Sequence, residues 1–461
     1  MNLLNSKRSG VPAILAASLF TLVVGTVAAR RIDVRTADTP RYQRLAENID
    51  ERGDFSSCAT PPFHPEIQRV PGYPVFLALL RRFGITSNTG IATAQALLHA
   101  LAVLAVAGLA PRHPVVVAWV FALYPYSLVI SLKLASEGLS EFLLLWGLIF
   151  VAWAVRSHPQ RTSLFVLGGL TLSALTFTRP VFLFLPVTLG LALGLWRQFC
   201  PSPKFTRRGV FIFILCGTLP AASWSARTSW ITGRLMPPSL NWIGTNLWLA
   251  TWDYRASYHD LEYNIFRRED NRNEGVIMDL NECNPVENLA ASDHAREVAV
   301  RRIRRNPGTY LLESLWRSLR VWLTWEISEP SSRNLAWASH WLRYSSILIL
   351  SLGLAGAWLL RRDLTATVTI TLPCIYISAI HMPLHVSGRY SHPARGLVLI
   401  LAVYALSAVV RRCRPWPSDL APQRIRSAET HPGSPPFAFG RLARRLLAVS
   451  IRAPFTTAAP G

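Results

Sequence analysis

The sequence predicts an all-α, polytopic membrane protein, on three observations. Its apolar residues fall in long blocks, basic residues gather at alternate ends of those blocks, and polar residues suited to chemistry collect at the other ends. The chain has 461 residues, 51% of them hydrophobic and 16% charged, with 16 Trp. Soluble domains carry far more charge and spread their apolar residues in amphipathic patterns. Blocks of roughly 18–20 apolar residues match the thickness of a bilayer core, and about ten are present. They cover 10–29, 91–110, 114–132, 138–155, 163–178, 180–196, 209–226, 342–360, 364–383 and 394–410.

An excess of 48 Lys and Arg over 26 Asp and Glu gives a net charge of +22, which in a soluble chain would suggest nucleic acid as a partner. Here the charges sit at block edges instead, so no nucleic-acid partner is expected. With the N-terminus in the cytoplasm, Lys7, Arg8, Arg112, Arg156, Arg161, Arg197, Lys204, Arg207, Arg208, Arg361, Arg362, Arg411, Arg412 and Arg414 all fall inside. Every inside loop is then basic, which fixes the orientation: a multi-pass protein of the inner (plasma) membrane with both termini cytoplasmic. The first block is too long for the apolar core of a usual signal peptide and is expected to remain as a span.

The same alternation divides the chain. Residues 1–226 form an N-terminal transmembrane module carrying the first outside loop, 30–90. Residues 227–341 form an extracytoplasmic segment studded with Trp, as suits the membrane–water interface. Within it an acidic, Asn-rich centre precedes a basic helix at 294–306 and an apolar helix at 308–325. Spans at 342–411 follow, then a Pro- and Arg-rich cytoplasmic tail, 412–461, with one basic amphipathic stretch at Phe437–Ile451 suited to anionic lipid. Of the six Cys, Cys58 and Cys283 fall outside, either as free thiols or as a disulfide pair, and no metal spacing appears among the six.

A membrane-embedded active site meets both lipid and water at short turns between spans. Four outer-face places qualify: Ala37 to Tyr42, opening a helix; EIQRVPGYP at 66–74; KLASEGLSE at 133–141; and Arg179-Pro180 with Arg389-Tyr390. Carboxylates and arginines gathered there can supply a base for a proton and cations for an anionic group such as a phosphate. Arg suits the second role because its planar fork binds two oxygens at once.

The strings DTPRYQRLAENIDERGDFSS and RVPGYPVFLALLRRFG resemble the first extracytoplasmic loop of the GT-C glycosyltransferases, in the branch of glycosyltransferase family 39 protein mannosyltransferases and the aminoarabinose transferase. Further landmarks recur in that family's order: LASEGLSEFLLLWGL, LTFTRPVFLFLP, SWSARTSWITGRL, RRNPGTYLLESLWRSLRVWL and GRYSHPARGLVLILAVYAL. The resemblance runs from about residue 10 to 411 and implies a GT-C-like transmembrane bundle with extracytoplasmic juxtamembrane helices. It also implies catalysis at the outer face, with a polyprenyl-phosphate sugar as donor and a glycan, lipid or protein as acceptor. No cofactor or metal is expected, the lipid-linked sugar being a substrate. Asp38 matches the first-loop acid and is the expected base; Arg69, Glu137, Arg179, Arg389, Tyr42 and Tyr73 are the expected substrate contacts. Ser223 and Thr228 depart from a Pro-Trp-x-x-Arg-Asn pattern frequent among related sequences around Trp224 and Arg227.

Each candidate has a plainer role. Asp38 can be a helix cap, the arginines can anchor their helices at the interface, and the tyrosines can be packing residues. Glu141, one turn below Glu137, needs a partner inside the membrane, and Lys133 is a candidate. His381, His385 and His392 gather near one end of the last two blocks without a third zinc ligand at the right spacing. The rival functions are a transporter or flippase for a lipid-linked saccharide and an oligosaccharide polymerase or ligase. A transporter would duplicate its halves and place charges mid-span, which this chain does not do.

Overall fold

The computed structural model describes residues 2–157, 161–199, 205–238, 240–251, 285–323 and 336–413. Cys283, most of the acidic centre and the Phe437–Ile451 stretch lie outside these residues, so the Cys58 pairing does too.

The architecture is helical throughout the described residues. In chain order the helices are α1 (Asn2–Ala28), α2 (Thr39–Arg52), α3 (Gly72–Arg82), α4 (Asn88–Leu109), α5 (Pro114–Ala122), α6 (Pro125–Leu132), α7 (Glu137–Arg156) and α8 (Thr162–Thr178). There follow α9 (Leu185–Phe199), α10 (Arg207–Thr232), α11 (Leu240–Ala250), α12 (Pro285–Arg305), α13 (Pro307–Leu323) and α14 (Ala336–Leu360). The last two are α15, running over Leu364–His381, and α16 (Arg395–Cys413), the latter entered through a tight 3-10 turn at Gly388–Ala394.

Seven helices are long and apolar enough to cross a bilayer, and the bent pair α5–α6 raises this to eight. Two of the expected spans, 163–178 and 342–360, correspond to shorter apolar stretches, Thr162–Thr178 and Tyr344–Leu360, so the expected count of about ten is not reached on length and composition. The block at 114–132 is broken by a 58° bend. Pro125 is the cause: it forces Tyr124 out of the helical region, and it has no N–H to continue the ladder.

The bundle inverts the surface of a soluble protein. Leu19, Val23, Leu191, Leu195, Phe211, Leu219, Leu348 and Leu354 point outward and are exposed. Such a belt on helices of this length is a lipid-facing surface, and the chain is a multi-pass membrane protein. Two small helices outside the spans build the first loop. α2 buries Tyr42, Leu45 and Ala46 against α3 and ends at Gly53, whose φ of 73° is a left-handed cap open to glycine at no steric cost. At the other end of the loop, a Cβ on Gly72 would come within 2.6 Å of the Phe177 carbonyl, so the Pro-Gly-Tyr-Pro turn rests on the C-terminus of α8. Arg69 and Arg179, which flank this contact in sequence, line the same cavity.

The 227–341 segment is less separate than the sequence suggests. α10 runs on to Thr232, and Trp248 of α11 is buried against Ala295, Val298 and Ala299 of α12. Arg317 of α13 donates to the carbonyls of Met382 and Ala250, tying this layer to the end of α15.

Candidate active site

Asp38, Arg69, Glu137, Arg179 and Arg389 come from five separate chain segments, all at helix ends on one face of the bundle. Asp38 is the residue before α2. It makes no side-chain capping bond there, and its carboxylate instead accepts from the Arg69 guanidinium. The helix entry is held by Thr39, whose hydroxyl accepts from the Thr36 N–H at 2.7 Å and reaches the Leu134 carbonyl at 3.0 Å. The capping role for Asp38 is thereby vacated, and the carboxylate faces the cavity.

The charges alternate. Arg69 pairs with Asp38; Arg389 Nη1 lies 3.9 Å from Asp38 Oδ2 and its Nε 3.9 Å from Glu137 Oε1. Arg179 Nη1 closes the row, 3.0 Å from the same Glu137 oxygen. Three guanidiniums against two carboxylates leave an excess of positive charge. The pairing is also incomplete, since among the described residues Arg69 Nε and Glu137 Oε2 are buried with no hydrogen-bond partner. Buried donors in that condition favour an incoming anion.

These side chains line a cavity of about 490 Å³, within the usual range for small-molecule sites. Tyr42, Gln68, His381, His385 and Tyr390 add polar groups to its lining, and Val181, Leu183, Phe184, Ile243, Ile380 and Leu384 add apolar ones. The lining thus offers contacts both to a charged or hydroxylated group and to a hydrocarbon.

Burial works to raise the Asp38 carboxyl, but Arg69 and Arg389 outweigh it and hold the group below its usual range. Burial pushes the Tyr42 phenol up, so it remains a neutral donor at physiological pH. Burial opposes the charge on Arg69, yet the carboxylates of Asp38 and Glu66 favour it, and the guanidinium stays protonated.

A layer behind the cavity aims Arg69. Glu66 is buried and accepts from the backbone N–H groups of Gln68 and Arg69 at 2.6 and 3.1 Å. Arg41 donates to Glu66 Oε2 at 2.8 Å and to Gln68 at 2.7 Å. Arg227 reaches the Glu66 carbonyl at 3.1 Å while its guanidinium lies over Trp224, 4.5 Å from the ring centroid. The Trp224–Arg227 spacing therefore braces the first loop despite the flanking Ser223 and Thr228.

Tyr73 does not line the cavity. It is fully buried, donates to Gln95 at 3.1 Å and packs edge-on against Tyr42 at 5.0 Å, so it supports a cavity residue from behind. Glu141 does not reach Lys133, whose ammonium donates to the Asp33 carbonyl at 2.7 Å; it pairs with His99 instead. The histidine trio is split: His381 and His385 are in the cavity wall and His392 lies below it. Asp33 forms an exposed pair with Arg35, as its loop position suggests. Arg41, Glu66 and Gln68 lie in the outer-face segments marked by the sequence but not among its expected site residues; Glu66 turns back on the chain to hold the Gln68 and Arg69 N–H groups, a turn with no strong sequence signal.

The fold and cavity define a multi-pass, all-helical membrane protein with a charged pocket at one face. No protein-family model and no curated protein matches the chain. Among solved structures, it is similar to the archaeal oligosaccharyltransferase AglB from Archaeoglobus fulgidus in complex with an inhibitory peptide and a dolichol-phosphate, with 14% identity, 96% of this chain and 54% of that one covered, and a TM-score of 0.49. The Archaeoglobus fulgidus oligosaccharyltransferase in the apo form gives 13% identity, 95% and 54% coverage and a TM-score of 0.48. ArnT from Cupriavidus metallidurans bound to undecaprenyl phosphate gives 16% identity, 87% and 78% coverage and a TM-score of 0.36. The chain spans about half the length of the archaeal enzymes.

Proposed function

We propose that the protein is a glycosyltransferase that takes a sugar from a polyprenyl-phosphate donor on the extracytoplasmic side of the inner membrane, with both its termini in the cytoplasm. The observation that carries this reading is the row of Arg69, Asp38, Arg389, Glu137 and Arg179 around a cavity whose lining also holds apolar side chains. A phosphodiester on a hydrocarbon chain matches both kinds of lining. The acceptor is a glycan, lipid or protein of the envelope, and no cofactor or metal is required.

In this reading Arg69, Arg179 and Arg389 hold the donor phosphate, and Asp38 takes the proton of the acceptor hydroxyl. The acceptor oxygen bonds to the anomeric carbon as the carbon–oxygen bond to phosphate breaks. Polyprenyl phosphate leaves with that electron pair, stabilised by the guanidiniums, and the sugar inverts in a single displacement. Tyr42 and Glu137 bind the substrate, Glu137 also orienting Arg179 and Arg389.

The ion pairs couple binding to chemistry. In the free protein Asp38 is a weak base because Arg69 and Arg389 hold its carboxylate. A donor phosphate competes for those guanidiniums, and each one drawn away raises Asp38's affinity for a proton. The basic form is lost as pH falls through the Asp38 pKa. The acid limb of kcat, which reports the donor-bound protein, is therefore expected at higher pH than that of kcat/KM for the donor. Purified protein supplied with polyprenyl-phosphate hexoses and pentoses, and with envelope extract as acceptor, tests this. Coincident limbs would remove the coupling, and no released polyprenyl phosphate from any donor would remove the reading.

A further inference from the structure

A second polar cluster lies one helical turn beneath the cavity, and the reaction just described does not use it. Glu141, His99, Ser127, Ser131 and His392 are all buried. Glu141 Oε2 lies 2.6 Å from His99 Nδ1 and accepts from the Ser131 hydroxyl at 2.9 Å. Its other oxygen accepts from Ser127 at 3.3 Å and lies 3.6 Å from His392 Nε2. The Ser131 hydroxyl also lies 3.1 Å from His392 Nε2, so one group touches both partners.

The placement of the cluster is informative. Glu141 follows Glu137 by four residues on α7, and in an α-helix that spacing stacks one side chain above the other. His392 follows Arg389 by three residues in the 3-10 turn, whose period of three stacks that pair likewise. The two elements therefore touch at two levels: Arg389 to Glu137 in the cavity and His392 to Glu141 below it. The same end of α7 packs closely on α6, since a Cβ on Gly138 would come within 2.6 Å of the Ser131 carbonyl. An acid inside a membrane span is retained only where its partners are fixed, and these come from α4, α6 and the 3-10 turn at once.

We propose that Glu141, Ser131 and His392 are positioning residues that set the distance between α7 and the Gly388–Ala394 turn, and thereby hold Glu137 and Arg389 in register for the donor phosphate. This rests on the reading of the cavity as a lipid-phosphate site, and it goes beyond that reading by assigning function to groups that touch no substrate.

The test is equilibrium binding of undecaprenyl phosphate to the full-length protein in nanodiscs. Glu141→Ala and His392→Ala are expected to weaken binding by about 10- to 100-fold, the scale on which ligand-orienting partners act. Glu141→Gln, which keeps an acceptor for Ser131 and Ser127, restores most of the affinity. Thr176→Val removes an equally buried hydroxyl that bonds only within its own helix, and it leaves binding unchanged. A merely structural role is separated by a double-mutant cycle: in an Arg389→Ala background, Glu141→Ala adds little, because its effect passes through Arg389. If Glu141→Ala does not yield folded protein, Ser131→Ala enters the same cycle. Failure of the wild type to bind undecaprenyl phosphate overturns the cavity reading. A wild type that binds, with Glu141 or Ser131 variants that bind equally well or add independently to Arg389→Ala, overturns this inference alone.

Discussion

Asp38→Asn is expected to lower turnover by about 10²–10⁴, the scale for loss of a general base. The substitution keeps the size of the side chain and removes its basicity. It leaves the helix entry intact, because Thr39 and not Asp38 makes the local bonds at the start of α2. Donor affinity is not expected to fall. Removing a carboxylate that competes with phosphate for Arg69 and Arg389 leaves affinity unchanged or slightly tighter. The combination of lost turnover and retained binding distinguishes a base from a structural acid, whose loss would disturb both. Asp33→Asn is the matched control: Asp33 forms an exposed pair with Arg35 outside the cavity, and its variant stays close to wild type. Steady-state kinetics and undecaprenyl phosphate binding on the same preparations supply both readouts. Wild-type turnover in folded Asp38→Asn would move the base to Glu137.

Arg69→Ala is expected to show the converse pattern. Arg69 is the guanidinium paired directly with Asp38, and its Nε is buried without a partner. A charge-assisted hydrogen bond to phosphate contributes about 1.5–3 kcal/mol, so donor affinity falls by about 10- to 100-fold. Turnover falls as well, because the same group stabilises charge on the departing phosphate. Arg69→Lys does not restore wild-type behaviour, since an ammonium lacks the planar fork and cannot reproduce the aim that Glu66 gives the loop. An Arg69→Ala protein with wild-type donor affinity would remove this residue from phosphate binding.

Much of the architecture was legible because bilayer physics writes itself into sequence over long windows. An apolar block of span length has few alternatives. What failed locally was helix continuity: 114–132 is apolar throughout, yet Pro125 breaks it. Pairings were less legible than positions. Asp38 and Arg69 stood out as polar groups at a span edge, but nothing in their 31-residue separation announced an ion pair. Tyr73 was misplaced because a helix start beside the cavity presents two faces, and its ring takes the one toward Gln95. The partner of Glu141 was misjudged for a related reason. Lys133 is near in sequence, whereas His99 and His392 reach Glu141 only through the packing of α4, α7 and the 3-10 turn. The cavity's volume and mixed polar and apolar lining arise from segments spread over 38–390 and have no local signature.

The central claim is that the cavity breaks the bond between sugar and polyprenyl phosphate, whereas a flippase would move the intact lipid. Mass spectrometry of lipids from proteoliposomes holding the purified protein, a polyprenyl-phosphate sugar and envelope extract decides between the two. Free polyprenyl phosphate is expected to appear together with a glycosylated acceptor, and both to form about 10²–10⁴ times more slowly with Asp38→Asn. Intact donor recovered from the opposite leaflet, with no polyprenyl phosphate released, would contradict it.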